Sequence, residues 1–539
     1  MEQGWLSAAE QQAAMGRGEA TAHSLCLTYL HRIRALDAGG PRIKSVLEVN
    51  PEALVMAAEL DAERAERGPR GPLHGVCVLL KDNIDTGGAM HTTAGSLALL
   101  DSRPVADAPI VTALREAGCV ILGKANLSEW ANLRGTPSSG GWSARGGQCL
   151  NPHVLTMSPS GSSSGSGASV AAGLAPLAVG SETDGSIISP CHACGIVGVK
   201  PTVGLVSRTG MIPISAVQDT AGPMTRTVAD AAVLLSVLAG KDDADAATAK
   251  QPPDLDTDYP AQLRDDGLRG ARIGVLRSKF EGNLSHHSVG AGAGSTELLP
   301  EPAAQAELER TILAPLREGG ATLVDDLRLW SDGEVQAAGW ESESELFRDY
   351  GWTMPYEFRT GVAEYLRTRR VASAELQGRA FLPQTLEELA DFNIAHGEEE
   401  LVAFGQEAWE KALSLTATEE EYVEASARLQ RIGGVEGIDR LLAKHQVRQK
   451  KKVPSLDCPA RNRARRYIPG GYLLTRIACG LGAAGRAGVP GRCGLLPRID
   501  LRLPCRDGAR GCGAGPAARR RFYRDSMERG DAAEAGVQF

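Results

Sequence analysis

Strand-like and helix-like patterns alternate along the first 245 residues, and this alternation leaves the chain few architectures to fold into. Residues 76–80 form a short unbroken apolar run, the pattern of a strand buried on both faces. Residues 21–36 carry Leu25, Leu27, Leu30, Ile33 and Leu36 at near-helical spacing, with Thr21 placed to cap the start. Residues 51–66 begin on a proline, which suits the first turn of a helix. Residues 107–117 read as a helix and 119–122 as the strand that follows it. Residues 169–175, 177–179 and 228–238 continue as helix, strand and apolar helix. Such alternation predicts an α/β fold around a parallel or mixed sheet. Residues 281–297, with His286 and His287 among glycines and serines, read as an exposed loop or insertion. Residues 300–445 are acidic and read as mainly helical, for example over 386–404 and 418–432. There is no internal repeat.

Composition narrows the function. A chain of 539 residues can hold one large core or two to three ordinary domains. The net charge of −8 argues against nucleic acid as a partner. No apolar run approaches the roughly 18 residues of a membrane span. Residues 1–10 are polar and carry acid, unlike a secretory signal, so a cytoplasmic protein is expected. The 11 cysteines follow no disulfide-like spacing. Cys191 and Cys194 form one C-x-x-C around His192, but a zinc site needs a second ligand pair. Packed thiols without a metal are therefore expected.

The charge balance breaks near residue 446. Residues 446–539 hold 20 Lys and Arg against 7 Asp and Glu, whereas the rest of the chain holds 38 against 59. This Arg-, Cys- and Gly-rich stretch has the character of GC-rich DNA read out of frame. The other reading is a natural basic tail without a fold of its own. The expected organisation is thus one domain over 1–445 and an atypical tail over 446–539.

The segment SPSGSSSGSGAS at 158–169 is the most informative stretch. Taken alone it would be a flexible linker. Here it runs straight into an Ala-rich helix and a strand, with no room for a domain boundary. A buried Gly/Ser loop at a helix start offers bare N–H groups and small hydroxyls to a reacting centre. Gly161 to Gly165 also fits the loose G-x-S-x-G pattern, which would make Ser163 the nucleophile. That pattern requires a strand directly before it, and 154–160 contains Pro159 and makes a poor strand. A second small-residue turn, GSETDGS at 180–186, presents Ser186 beside Gly185. Consecutive N–H groups there can converge on one point and stabilise an oxyanion. Lys81 ends the apolar run. If it is buried beside the serine-rich loops, desolvation favours its neutral amine, which can serve as a base.

These elements occur with further short motifs in a fixed order. They are GVCVLLKDNID at 75–85, GKANLSEW at 123–130, GQCLNP at 147–152, SPSGSSSG at 158–165, GSETDGSI at 180–187, GIVGVKPT at 195–202 and DTAGPM at 219–224. Each is weak alone, but in register over roughly 200 residues they carry a specific signal. The chain resembles the amidase signature family of serine hydrolases, and its ETDGS form is most like the bacterial peptide amidase branch. Many relatives have Gly-Gly-Ser at that place.

The resemblance implies a single large α/β domain, its central mixed sheet covered by helices on both faces. It implies Ser186 as the acyl-forming nucleophile, and Ser162, preceded by a cis peptide bond, as the relay. It implies Lys81 as the base. Thr183, Asp184 and Gly185, with Ser186, would supply the oxyanion hole. Asn126, Ala131 and Ser163 would lie beside the acyl pocket. No cofactor or metal is implied. The expected partner is a small-molecule or peptide amide, with neither nucleic acid nor membrane, and a homodimer is left open. Local departures are Ser160 in place of a common glycine, Ser166-Gly167, and the stretch from Cys191 to Cys194. The expected reaction is hydrolysis of a carboxamide to carboxylate and ammonia or amine. The alternative is the glutaminase subunit of a glutamyl-tRNA amidotransferase, and a non-catalytic relic is the third reading.

Overall fold

The computed structural model describes residues 2–447 apart from 136–137, 277–283, 288–294, 331–334, 336–348 and 372–379. For 284–287 and 295–299 it describes the backbone alone. The expectations for 448–539 lie outside the described residues.

Six strands form the central sheet: β1 (Val46–Val49), β2 (Cys77–Lys81), β3 (Val120–Ala125), β4 (Leu177–Glu182), β5 (Val197–Gly198) and β6 (Thr220–Thr225). Their order across the sheet is β1-β3-β2-β4-β6-β5. β2 runs parallel to both β3 and β4, while β1 on β3, β4 on β6 and β5 on β6 are antiparallel. The sheet is therefore mixed, as expected.

Every residue of β2 is buried, which explains its unbroken apolar run. Successive side chains of a strand point to opposite faces. Cys77 and Leu79 accordingly join one apolar layer, with Leu25 and Tyr29 of α1 (Ala22–Arg32), Ala57 and Leu60 of α2 (Ala53–Arg67), and Val170. Val78 and Leu80 join the opposite layer, with Ile110 and Leu114 of α3 (Pro109–Glu116) and Leu234 and Leu238 farther along the chain. Helices thus cover both faces. Thr21 caps α1 as expected, accepting from Ser24 N.

Two expectations are corrected. The helix expected at 169–175 is α4, Ser164–Ala171, and starts five residues earlier. Glycine and serine are indifferent helix formers, but here all eight residues are buried, and packing decides. A Cβ at Gly165 would lie 2.2 Å from Ser45 O and 2.5 Å from Asn126 N, so the helix can pass this closely only on glycine. Ser166 spends its hydroxyl on Val179 O at 3.3 Å. The linker reading fails for the same reason: the segment is packed interior. Second, the stretch around 281–297 is not simply loop. Leu284–His287 and Ser295–Leu299 pair as antiparallel strands.

Cys191 lies on the short helix α5 (Ile188–Ala193), and Cys194 caps its end. Both belong to the apolar layer that includes α4. Burial pushes the Cys194 thiol up to about 12. The apolar helix expected at 228–238 is α6, Val228–Leu238.

The acidic C-terminal part is mainly helical where described, as in Leu386–Ala395 and Glu419–Gly433, with short strands at Thr322–Val324 and Arg369–Val371. It packs on the strip after β3. Trp130 meets Trp409 edge to face at 5.3 Å between ring centroids and Phe358 at 6.2 Å. Phe358 belongs to α7 (Tyr350–Leu366). This contact brings α7 to the end of the sheet where the chemistry-bearing residues gather.

Candidate active site

In open α/β sheets, ligands gather at the carboxyl ends of the parallel strands. Lys81 stands at that end of β2, and Ser181 and Glu182 stand at that end of β4. Lys81 is fully buried. Its Nζ donates to Ser162 Oγ at 2.8 Å, Ser181 Oγ at 2.9 Å and Ser181 O at 3.2 Å. Burial takes the Lys81 amine down to about 7, against the Asp219 and Glu182 carboxylates, which raise it. A second buried lysine, Lys124, is brought down to about 8 by burial. Its Nζ is held by Ile84 O, Thr86 Oγ1 and Thr92 Oγ1, away from the serine loop. Lys81 is therefore the buried lysine bonded to a candidate relay hydroxyl.

The serine loop is fixed from three sides. The Gly161–Ser162 peptide bond is cis. Ser160 has φ of 62°, in the left-handed region that favours glycine. Ser162 O accepts from Ser128 N at 3.0 Å. Ser163 N donates to Ser186 O at 3.2 Å, tying the relay segment to the second serine turn. Ser163 Oγ donates to Ser181 O at 3.0 Å and accepts from Ser181 N at 3.2 Å. A strand does not precede Ser163, which leaves the G-x-S-x-G pattern without its defining context.

Ser186 follows Gly185, whose φ of 80° lets the chain turn sharply. Ser186 is 7% exposed, while Ser162 is fully buried. Among the described residues, the main-chain N–H groups of Thr183, Asp184, Gly185 and Ser186 donate no hydrogen bond. Four successive unclaimed donors are what an oxyanion hole requires. The turn is held from both ends. Glu182 accepts from Ile187 N at 2.8 Å and Ile188 N at 3.0 Å. The Thr183 hydroxyl donates to Asp219 Oδ1 at 2.6 Å. A hydrogen bond between the Ser162 and Ser186 hydroxyls is not formed in this state, so the two are linked through Ser163 N and Ser186 O.

The three expected pocket residues are placed differently. Asn126 is buried and committed: Nδ2 donates to Lys44 O at 2.9 Å, and Oδ1 accepts from Leu127 N and Ser143 Oγ, each at 2.8 Å. Ser163 has its hydroxyl engaged by Ser181. Both position the loops. Ala131 is half-buried with φ of 54°, between Trp130 and Asn132, which also have positive φ.

The sequence reading missed four contributors. Ser181 gives Lys81 two acceptors, and Asn83 Nδ2 donates to the Ser181 hydroxyl at 2.9 Å. Asp219 also accepts from Ile214 N at 2.7 Å and Ser215 N at 3.0 Å. Burial pushes its carboxyl above the ordinary range. Tyr350, at the start of α7, donates to Asp184 Oδ2 at 2.9 Å. Asn83, Ser181 and Asp219 lie within the short motifs, but Tyr350 had no local signal.

The family model Amidase matches residues 24–293. A putative amidase of Arthroderma benhamiae is 49% identical over 251 residues, covering 47% of this chain and 42% of that protein. The probable amidase At4g34880 of Arabidopsis thaliana is 36% identical over 439 residues, 81% of this chain and 77% of that one. The solved structure of native peptide amidase from Stenotrophomonas maltophilia is 44% identical, covers 82% of each chain and superposes with a TM-score of 0.70. The chain belongs to the amidase family and is an amide hydrolase. The glutamyl-tRNA(Gln) amidotransferase A subunit of Chloroflexus aggregans is 39% identical over 322 residues, 60% of this chain against 81% for the Arabidopsis relative, so the glutaminase reading ranks second.

Proposed function

We propose that the protein hydrolyses a small carboxamide or a C-terminal peptide amide through an acyl-enzyme on Ser186. The observation that carries this reading is the fully buried Lys81 amine, 2.8 Å from Ser162 Oγ. A neutral amine has two N–H groups and one lone pair. Ser181 O and Ser181 Oγ can accept both N–H groups, which leaves the lone pair for the Ser162 hydroxyl proton. Lys81 then takes the proton of Ser162 as Ser162 takes that of Ser186, and Ser186 Oγ attacks the amide carbon. The carbonyl electron pair moves to oxygen and is met by the N–H groups of residues 183–186. When the tetrahedral intermediate collapses, the proton returns through Ser162 to the leaving nitrogen, and ammonia or an amine departs. Water, deprotonated by the same relay, attacks the acyl-enzyme and releases the carboxylate. In this scheme the Ser162–Ser186 hydrogen bond forms when substrate closes the site, as catalytic contacts often tighten only then. The ETDGS turn and the likeness to the Stenotrophomonas enzyme support a peptide-amide-type substrate.

No helix among the described residues is long and apolar enough to cross a membrane. Cys26, Cys77, Cys119, Cys149 and Cys194 are thiols, which suits the reducing cytoplasm we assign to the protein.

Ammonia release from a panel of aliphatic, aromatic and peptide amides tests the reaction. Absence of release from every member, in folded protein, contradicts it. The pH dependence follows from Lys81. Its amine is active when neutral, so kcat/KM falls as pH drops through about 7 and the amine gains its proton. Asp219 opposes that shift, so Asp219→Asn moves the acid limb to lower pH. A profile flat down to about pH 5 contradicts lysine as base.

A further inference from the structure

Arg134 brings two carboxyl groups together in a dry place. Glu129 and Arg134 lie on the strip after β3, and Glu400 ends the short helix Gly397–Glu400 of the C-terminal part. All three side chains are fully buried. Arg134 Nη1 stands 3.2 Å from Glu129 Oε1 and 3.7 Å from Glu400 Oε2. Its hydrogen bonds go elsewhere: Nη1 donates to Glu400 O at 2.5 Å and Nη2 to Phe404 O at 3.2 Å. Glu129 Oε1 and Glu400 Oε2 are left without a donor. Their sister oxygens are committed. Glu129 Oε2 accepts from Ala144 N at 2.6 Å, and Glu400 Oε1 accepts from Leu97 N at 2.7 Å and Ser96 Oγ at 3.0 Å.

Two ionised carboxylates beside one guanidinium would bury a net negative charge, and each would keep an unmet acceptor. One proton removes both faults. It turns one free oxygen into a donor to the other and leaves a single negative charge for Arg134. The two carboxyls are within hydrogen-bonding reach of each other. Burial, together with the Glu400 charge, pushes the Glu129 carboxyl well above its ordinary range, against the pull of Arg134.

The pair bears on the site through the strip. Ser128, next to Glu129, donates its N–H to Ser162 O at 3.0 Å, and its hydroxyl accepts from Gly141 N at 2.8 Å. On the other side, Trp130, Ala131 and Asn132 have φ of 48°, 54° and 72°. Residues other than glycine enter that region at a cost, so contacts and not local preference hold the path of the strip. We propose that Glu129 and Glu400 share one proton over Arg134, and that this bridge makes Glu400 a positioning residue for the strip on which Ser162 rests. The shared proton is independent of the reaction; the positioning role rests on Ser162 as relay.

Infrared spectra at neutral pH read the proton. Wild type minus Glu400→Gln should show a carboxylic-acid carbonyl band that shifts in D2O, and so should wild type minus Glu129→Gln. In either variant the new amide donates the hydrogen and the surviving carboxyl is ionised. Melting reads the charge. Each single variant leaves one carboxylate for Arg134, whereas Glu129→Gln combined with Glu400→Gln leaves the guanidinium alone, so Tm should fall by more than the two single shifts together. Steady-state kinetics read the positioning. Glu400→Gln should keep kcat within about twofold, while Glu400→Ala should lower it on the order of tenfold, with the acid limb of Lys81 unmoved. Glu129→Ala, which leaves Glu400 ionised beside Arg134, is the second route to that loss if Glu400→Ala does not fold. A band missing from wild type or surviving in either Gln variant overturns the shared proton, and so do additive melting shifts. Wild-type kcat in the Ala variants overturns the positioning role, as does an equal loss in Glu400→Gln. Failure of the underlying reading looks different: Ser162→Ala would then keep wild-type activity.

Discussion

Ser186→Ala lowers kcat for amide hydrolysis on the order of 10⁴-fold or more, the scale seen when an acyl-forming serine is removed from a relay. The effect is this large because the covalent route itself is lost. What remains is substrate held against the N–H groups of residues 183–186, with water as the only nucleophile. KM should change little, since the Ser186 hydroxyl contributes mainly in the transition state. Near-UV and far-UV circular dichroism should match the wild type, because among the described residues no side-chain hydrogen bond that holds the fold runs through that hydroxyl. The check is steady-state ammonia release, with the variant free of contaminating wild type. A variant retaining a tenth of the activity would move the nucleophile elsewhere.

The second large effect comes from Lys81→Met, expected to lower kcat/KM on the order of 10³-fold, the middle of the range for a lost general base. Methionine matches the length of the lysine stem and suits the apolar surroundings of β2, so the strand should still pack. The amine is what disappears. Ser162 Oγ loses its partner at 2.8 Å, and Ser181 loses the donor that its carbonyl and hydroxyl share. The remaining activity should no longer fall as pH drops through about 7, because the group that titrates there is gone. That loss of the acid limb separates a missing base from a merely loosened site. A variant with low activity but an intact limb would show that another group titrates.

Much of this site was legible because its parts announce themselves locally. Lys81 is a charge placed at the end of an apolar run that must be buried on both faces. Gly185 beside Ser186 marks a sharp turn at a strand end. Both signals depend on neighbours in sequence. The parts that escaped depend on neighbours across the sheet. Ser181 reaches Lys81 because β2 and β4 run side by side, and Asp219 reaches Thr183 because β6 returns antiparallel to β4. Tyr350 reaches Asp184 only after the acidic C-terminal helices fold back onto Trp130. The same limit explains Asn126 and Ser163. Their positions in the motifs were clear, but whether each hydroxyl or amide faces substrate or protein depends on contacts such as Ser143 and Ser181. Helix α4 shows the converse. Its Gly and Ser residues argue locally against a helix start at Ser164, and a close passage beside Ser45 and Asn126 overrules them.

The covalent intermediate gives the most direct test. The protein is mixed with a slow ester of the preferred acyl group, quenched in acid during turnover and digested, and the acylated peptide is sequenced by mass spectrometry. The acyl group should sit on Ser186 alone and be missing from the Lys81→Met variant under the same conditions. Acyl found instead on Ser162 or Ser163, with Ser186 unmodified, would contradict the account.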